Sequence, residues 1–240
     1  MPDRNRGSGE TFGKAVIALA AAAVVAACGS APPPPPSITL TFVRHAQSEG
    51  NTSGLIDTTV PGPGITAEGE QQAEELADEL RGKDFDGVYA SSMVRTQQTA
   101  APLADDLGEQ VDVLPGLREI AAGWFEGTPE AAAASTYYLA PAQWLQGERA
   151  ARIPGSVDGN EFNEDFSAAV QQIYDSGDKN PVAFSHGAAI MTWTQMNVSN
   201  PDYELMVSHP LPNVGEVVIK GNPMTGWTLV SWDGFGQPGA

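Results

Sequence analysis

The run Thr41-Phe42-Val43-Arg44-His45-Ala46-Gln47-Ser48-Glu49-Gly50-Asn51 places an arginine–histidine pair where an apolar segment ends. The chain holds three histidines, and a second one, His186, closes another apolar run, Pro181-Val182-Ala183-Phe184-Ser185. An imidazole can attack phosphorus as a nucleophile. A guanidinium fork matches phosphate oxygens two at a time. Arg95, in Ser91-Ser92-Met93-Val94-Arg95, supplies a second guanidinium behind a third short apolar run. Leu117-Arg118-Glu119 offers a carboxylate for proton transfer, with Glu126 and Glu130 as nearby rivals. These residue types suit a phosphate group far better than a hydrophobic core.

Such groups need elements that deliver them to one place. Ser37–Val43 alternates and is rich in β-formers, so it reads as a first strand. After Pro61-Gly62-Pro63-Gly64, Thr66 is a predicted N-cap with Glu68 and Glu70 in the first turn. Ala73, Leu76, Ala77 and Leu80 then repeat at helical spacing until Gly82. Gly87–Ala90 reads as a short buried strand, and Ser91 or Ser92 as the cap of a helix through Leu107 that Pro102 kinks or divides. Val111–Val113 is a weak strand. Phe162, Phe166, Ala169, Val170 and Ile173 predict an amphipathic helix. Strand 181–185, a helix after Gly187, and closing strands Gly215–Lys220 and Trp227–Trp232 complete the pattern. Residues of about 115–160 are irregular and aromatic (Trp124, Phe125, Tyr137, Tyr138, Trp144) and read as a small inserted cap. Alternating strands and helices predict an α/β fold: a three-layer α/β/α domain with a mostly parallel central sheet. In such sheets, ligands sit outside the carboxyl ends of the strands near a topological switch point.

The ordered set of motifs resembles the histidine phosphatase superfamily, in its phosphoglycerate-mutase-like branch. The matching pieces are Arg44-His45-Ala46 with Ser48 and Asn51, then Ile65-Thr66-Ala67-Glu68-Gly69 with Gln72-Ala73. Next come Ser91-Ser92-x-x-Arg95-Thr96-x-x-Thr99-Ala100, Leu117-x-Glu119 with Gly123 and Glu126-Gly127, and Ser185-His186-Gly187. The resemblance spans roughly Ile38 to Trp232. It implies that His45 is a nucleophile that becomes phosphohistidine, and that Arg44, Arg95 and His186, with Asn51 helping, hold the phosphoryl oxygens. Glu119 would protonate the leaving alkoxide and then activate water, and no step calls for a metal or cofactor. For this chemistry a backbone carbonyl should hold the other N–H of His45, and burial or charge should raise the Glu119 pKa. Gly50 stands where mutases of this family usually carry tryptophan, and the cap is short and acidic, which favours hydrolysis over mutation.

The N-terminus carries a separate message. Arg4, Arg6 and Lys14 precede Ala15–Ala27, an unbroken small-apolar stretch of 13 residues. A membrane-spanning helix needs about 20 apolar residues, so the length fits a signal-peptide core instead. Val25-Ala26-Ala27-Cys28-Gly29 resembles the lipobox of bacterial lipoproteins, which implies cleavage before Cys28 and lipid on its sulfur. Pro32–Pro36 would form an extended spacer. The expected organisation is therefore a signal peptide at 1–27, a Cys28-anchored proline-rich linker at 28–37, and a histidine phosphatase domain at 38–240. The expected location is the outer face of the cytoplasmic membrane.

The net charge is −18, and removing 1–27, with three basic and two acidic residues, leaves −19. That charge argues against nucleic acid or anionic lipid as partners. An anionic substrate, here a small phosphate ester, can be held only by a local basic pocket. Cys28 is the only cysteine, so no disulfide framework supports the fold. His209, in Ser208-His209-Pro210, reads as structural or surface, Arg149 and Arg152 as solvated, and the cap aromatics as core. Two alternatives stay open at this stage: a phosphoglycerate mutase-type phosphotransferase, and a non-catalytic lipoprotein that keeps the pocket as a ligand cradle.

Overall fold

The computed structural model describes residues 34–236; the expected leader, Cys28 and the first two spacer prolines lie outside the described residues. Strand β1 (Ile38–Arg44) leads into a one-turn helix, α1 (Glu49–Ser53). Helix α2 (Ala67–Leu80), strand β2 (Val88–Ala90), helix α3 (Val94–Leu107) and strand β3 (Val111–Val113) follow. The cap region then holds three 3-10 turns (Pro115–Leu117, Gly123–Phe125 and Glu130–Ser135) and helix α4 (Leu139–Leu145). Helix α5 (Gly159–Asp175) is followed by β4 (Val182–Ser185), α6 (Gly187–Asn197) and α7 (Glu204–Ser208). Strands β5 (Glu216–Asn222), β6 (Gly226–Trp232) and β7 (Phe235–Gly236) close the chain.

All seven strands join one sheet in the order β3-β2-β4-β1-β5-β6-β7. The first four run parallel and the last three extend the sheet antiparallel, giving the α/β architecture that the alternation predicts. Side chains alternate between the two faces of a strand, and the core divides accordingly. Val43, Val88, Val182 and Phe184 pack with Leu76, Leu80 and Leu103 of α2 and α3. Leu40, Phe42, Tyr89 and Ala183 belong to the other cluster, with Phe166 and Ile173 of α5 and Trp193 of α6. Phe166 stacks on Trp193 at 5.2 Å and meets Phe42 at 5.6 Å, so α5, α6 and β1 are locked directly beneath the strand ends. Each fully buried side chain of this size contributes on the order of 1.5–3 kcal/mol. The cap is no separate body: Leu117, Ile120, Tyr137, Trp144 and Ile153 all join this second cluster.

Local chemistry explains most element ends. Thr66 caps α2, its Oγ1 accepting from the Gly69 N–H at 3.0 Å. Asp158 and Glu161 form a reciprocal capping box on α5. The start of α3 departs from expectation: its N-cap is Met93, and neither Ser91 nor Ser92 plays that part. Ser91 Oγ is engaged instead with Thr96 and His186. Pro102 does not end the helix either. It costs one backbone hydrogen bond, while buried Leu103 and Ala104 carry α3 on to Leu107.

The topology creates a crevice at the carboxyl ends of β1 and β4. From β1 the chain crosses through α2 to β2, and β4 later fills the place between them. Helix α2 packs on one face and α6 on the other. The two neighbouring strands thus send their chains in opposite directions, the arrangement that opens a ligand site. In the parallel register Arg44 lies beside Ser185, so His45 and His186 leave the sheet together.

Candidate active site

His45 sits just past β1, almost fully buried. Its Nδ1 lies 2.7 Å from the Ala46 carbonyl oxygen, which can only accept. The ring proton is therefore on Nδ1, and the Nε2 lone pair receives the Arg95 Nε–H at 3.1 Å. Burial, reinforced by Arg95 and Arg44, holds this imidazole well below 6.5, so it is neutral. The loop that carries it is held from every side. The Ala46 N–H bonds Thr99 Oγ1 at 3.0 Å, the Gln47 N–H bonds Gln72 Oε1 at 2.8 Å, and Asn213 Nδ2 donates to the His45 carbonyl at 2.9 Å. Gly69 is a glycine for a spatial reason: a Cβ there would lie 2.1 Å from the Gln47 carbonyl oxygen.

His186 follows β4 and has no exposed surface. Its ring centroid lies 5.2 Å from that of His45, edge to face. Nε2 is 2.8 Å from Ser91 Oγ, which also takes the Met93 N–H, while Nδ1 has no partner among the described residues. Burial, then Arg95 and His45, hold His186 well below 6.5 too.

The arginines are placed with donors to spare. Arg95 gives Nε to His45 and Nη2 to the Asp57 carbonyl at 3.2 Å, and its Nη1 is buried without a partner. Arg44 gives Nη1 to the Leu211 carbonyl at 2.7 Å and leaves Nε unpartnered. Gly187 makes room for it, since a Cβ there would come within 3.2 Å of Arg44 Nε. Asn51 accepts through Oδ1 from the Ser48 N–H, Ser48 Oγ and Asn213 Nδ2, which leaves its amide nitrogen to the cavity.

Glu119 reaches across to the start of α6. Its Oε1 accepts from the Ile120 and Ala189 N–H groups, both at 2.9 Å, and Oε2 from the Ala188 N–H at 3.2 Å. The carboxylate thereby caps a helix whose own N-cap residue, His186, offers no side-chain bond. With Oε1 taken twice, Oε2 is the oxygen with room for a proton. Burial raises the Glu119 pKa, against the pull of the Ile120 N–H, Arg95 and the Ala188 N–H. Its rival Glu126 is committed elsewhere, to the Thr58 N–H at 2.8 Å and the Thr58 hydroxyl.

Arg44, His45, Asn51, Arg95 and Glu119 line one cavity of about 730 Å³, with His186 behind His45. Arg149 and Arg152 lie outside it: Arg149 bonds the Met196 carbonyl, and Arg152 pairs with Asp158 and Glu161. His209 packs on Phe235 at 4.2 Å and is not among the residues lining the cavity. Of the cap aromatics, Trp144 is core and Trp124 exposed, but Tyr137 and Tyr138 also face the cavity. Sequence reasoning did not single out Asn213, nor Ser91 as the support of His186. Asn213 stands in an irregular stretch with no motif, whereas Ser91 carried the signal of its Ser-Ser-x-x-Arg run.

The profile of the histidine phosphatase superfamily (branch 1) matches residues 40–233, and the chain belongs to that superfamily. Among its relatives, the PE-PGRS family protein PE_PGRS11 of Mycobacterium tuberculosis is 49% identical over 215 residues, 83% of this chain. This chain spans 37% of that relative's length. "Probable phosphoglycerate mutase GpmB" of Yersinia enterocolitica is 32% identical over 150 residues, covering 62% of this chain and 69% of its own. In three dimensions the fold matches a mycobacterial glucosyl-3-phosphoglycerate phosphatase solved with VO3. The TM-score is 0.66 and the identity 20%, over 82% of this chain and 98% of the other.

Proposed function

We propose that this protein is a phosphomonoester hydrolase working through a phosphohistidine on His45. The observation that carries this reading is the gathering of three buried donors without protein partners beside one neutral imidazole. They are Arg44 Nε, Arg95 Nη1 and His186 Nδ1. Buried polar groups are nearly always paired, so unpaired Arg44 Nε and Arg95 Nη1 at the cavity, with His186 Nδ1 unpaired behind His45, suit an anion with several acceptor oxygens. The incoming phosphate takes over the Arg95 donors and frees His45 Nε2. That nitrogen attacks phosphorus while the P–O bond to the alcohol breaks, and the alkoxide takes the proton of Glu119 Oε2. Water then attacks the phosphohistidine and gives a proton to Glu119; the P–N bond breaks and inorganic phosphate leaves. When the Ser91 hydroxyl donates to His186 Nε2, that nitrogen accepts, and the single ring proton sits on Nδ1 for a phosphoryl oxygen. Charge spreads over those oxygens in the transition state, so fixed donors there do most of the work.

The mutase reading draws on the relative from Yersinia, but a phosphoglycerate also presents a carboxylate. Among the described residues, Arg44 and Arg95 are the only Lys or Arg side chains lining the cavity, and both belong to the phosphate end. Hydrolysis of p-nitrophenyl phosphate tests the proposal against both alternatives. Expected are turnover that survives EDTA, inhibition by vanadate, and loss in His45→Ala. Persistent turnover in that variant removes His45 from its role. Interconversion of 2- and 3-phosphoglycerate without release of phosphate supports the mutase instead, and tight phosphate binding without turnover supports the cradle.

The same proposal places the enzyme outside the cytoplasmic membrane, held by lipid on Cys28. The apolar run, the single cysteine and the proline spacer support it. Incorporation of labelled palmitate by the intact chain, lost in Cys28→Ser, is the expected result; equal labelling of both chains rejects it.

A further inference from the structure

Building on the hydrolase reading, we infer that the substrates are phosphate monoesters of an apolar alcohol, in place of small acidic metabolites. The cavity is built of two unlike parts. Its floor holds the groups around His45. Its wall is formed by Leu55, Tyr138, Leu145, Met191, Met206 and Val207, from the α1 side, α4, α6 and α7. Several of these apolar groups continue out to the rim, where Val207 is 79% exposed. Large apolar side chains lining one cavity and reaching its mouth mark a surface that an apolar ligand covers.

Charge excludes the usual small alternatives. Among the described residues, the carboxylates that line the cavity are Asp57, Glu119 and Glu130, and no lysine joins them. A phosphoester carrying its own carboxylate meets repulsion above the floor and finds no cation to pair with. Removing a charge from water without a partner is costly, whereas every methylene laid against the wall is favourable. The volume of about 730 Å³ also far exceeds what a phosphate on three carbons fills.

The experiment is a homologous series of n-alkyl phosphates from ethyl to octyl, kept below aggregation, with phosphoserine and 3-phosphoglycerate as contrasts. Each added methylene is expected to raise kcat/KM by about two- to fourfold until the wall is filled. Octyl phosphate is expected to exceed both acidic esters. Val207→Asp, a change at an exposed position, should lower the octyl-to-ethyl ratio at least about tenfold. A flat series, or preference for phosphoserine, overturns the substrate class while leaving hydrolysis intact. If no ester is turned over, calorimetry with octylphosphonate and ethylphosphonate decides separately. A matching gradient in binding upholds the pocket's preference although hydrolysis fails, and equal binding overturns both.

Discussion

The ends of β1 and β4 lie side by side, yet the histidines they deliver are held in opposite ways. His45 is fixed by the neighbouring backbone: the Ala46 carbonyl accepts from Nδ1–H, which leaves the Nε2 lone pair to the Arg95 Nε–H until an anion claims that donor. His186 is fixed by a side chain from another element, Ser91, and turns an unpartnered Nδ1 toward its neighbours. A carbonyl can only accept, so the first arrangement allows one tautomer. A hydroxyl can donate or accept, so the second can adjust. One strand end is thereby suited to a nucleophile, and the other to a donor that adapts to an arriving anion.

The largest expected effect tests that division of labour. His45→Ala should reduce turnover to background and abolish the acid-labile, base-stable phosphoenzyme trapped by rapid quench. His186→Ala should slow turnover yet still accumulate it. If both variants lose the intermediate, the contrast between the two strand ends fails. Glu119→Gln is expected to cost about 10²–10⁴-fold on alkyl phosphates and much less on p-nitrophenyl phosphate, whose leaving group needs no proton. An equal loss on both substrates would remove Glu119 as the acid.

The pH profile sharpens the same point. His45 must be neutral to attack, and its pKa lies well below 6.5, so the acid limb of kcat/KM should fall below that pH. Glu119 must carry a proton, so the alkaline limb should disappear in Glu119→Gln. Ser91→Ala removes the support of His186, together with the Ser91 Oγ bonds to Thr96 and the Met93 N–H, with a loss of about three- to tenfold, on the scale of one hydrogen bond. A phosphoenzyme burst of undiminished amplitude would show that His45 is untouched.

The smallest effect concerns stability. Both histidines are neutral when folded, with pKa values below that of the unfolded chain. The unfolded state therefore binds more protons below about pH 6.5, and stability is lost as pH falls from there toward the folded pKa values. Thermal melts from pH 7 to 5 should show this decline, reduced in a His45→Asn, His186→Asn double variant.

Much of the scaffold could be read from local periodicity, because burial writes itself into spacing. Phe162, Phe166 and Ile173 announce α5, and Thr66 announces the start of α2. Short elements without a pattern were missed: α1, α7 and β7 span five, five and two residues. The expected serine cap on α3 failed because the partner that claims Ser91 lies 95 positions away. For the same reason no local signal could tell that Glu119 would cap α6. The wall of the cavity was hidden more deeply. Met206, Leu145 and Tyr138 are ordinary apolar residues in sequence, and only assembly sets them around one space.

The pairing of Arg44 with Ser185 makes the site a matter of counting. One residue inserted in β1 or β4 would slide the pair by about 3.3 Å and send alternate side chains to the opposite face. The turn between β5 and β6, before Gly226, could change length with little consequence for the reacting atoms. The length of these two inner strands cannot, because it is the gauge by which the molecule measures out its chemistry.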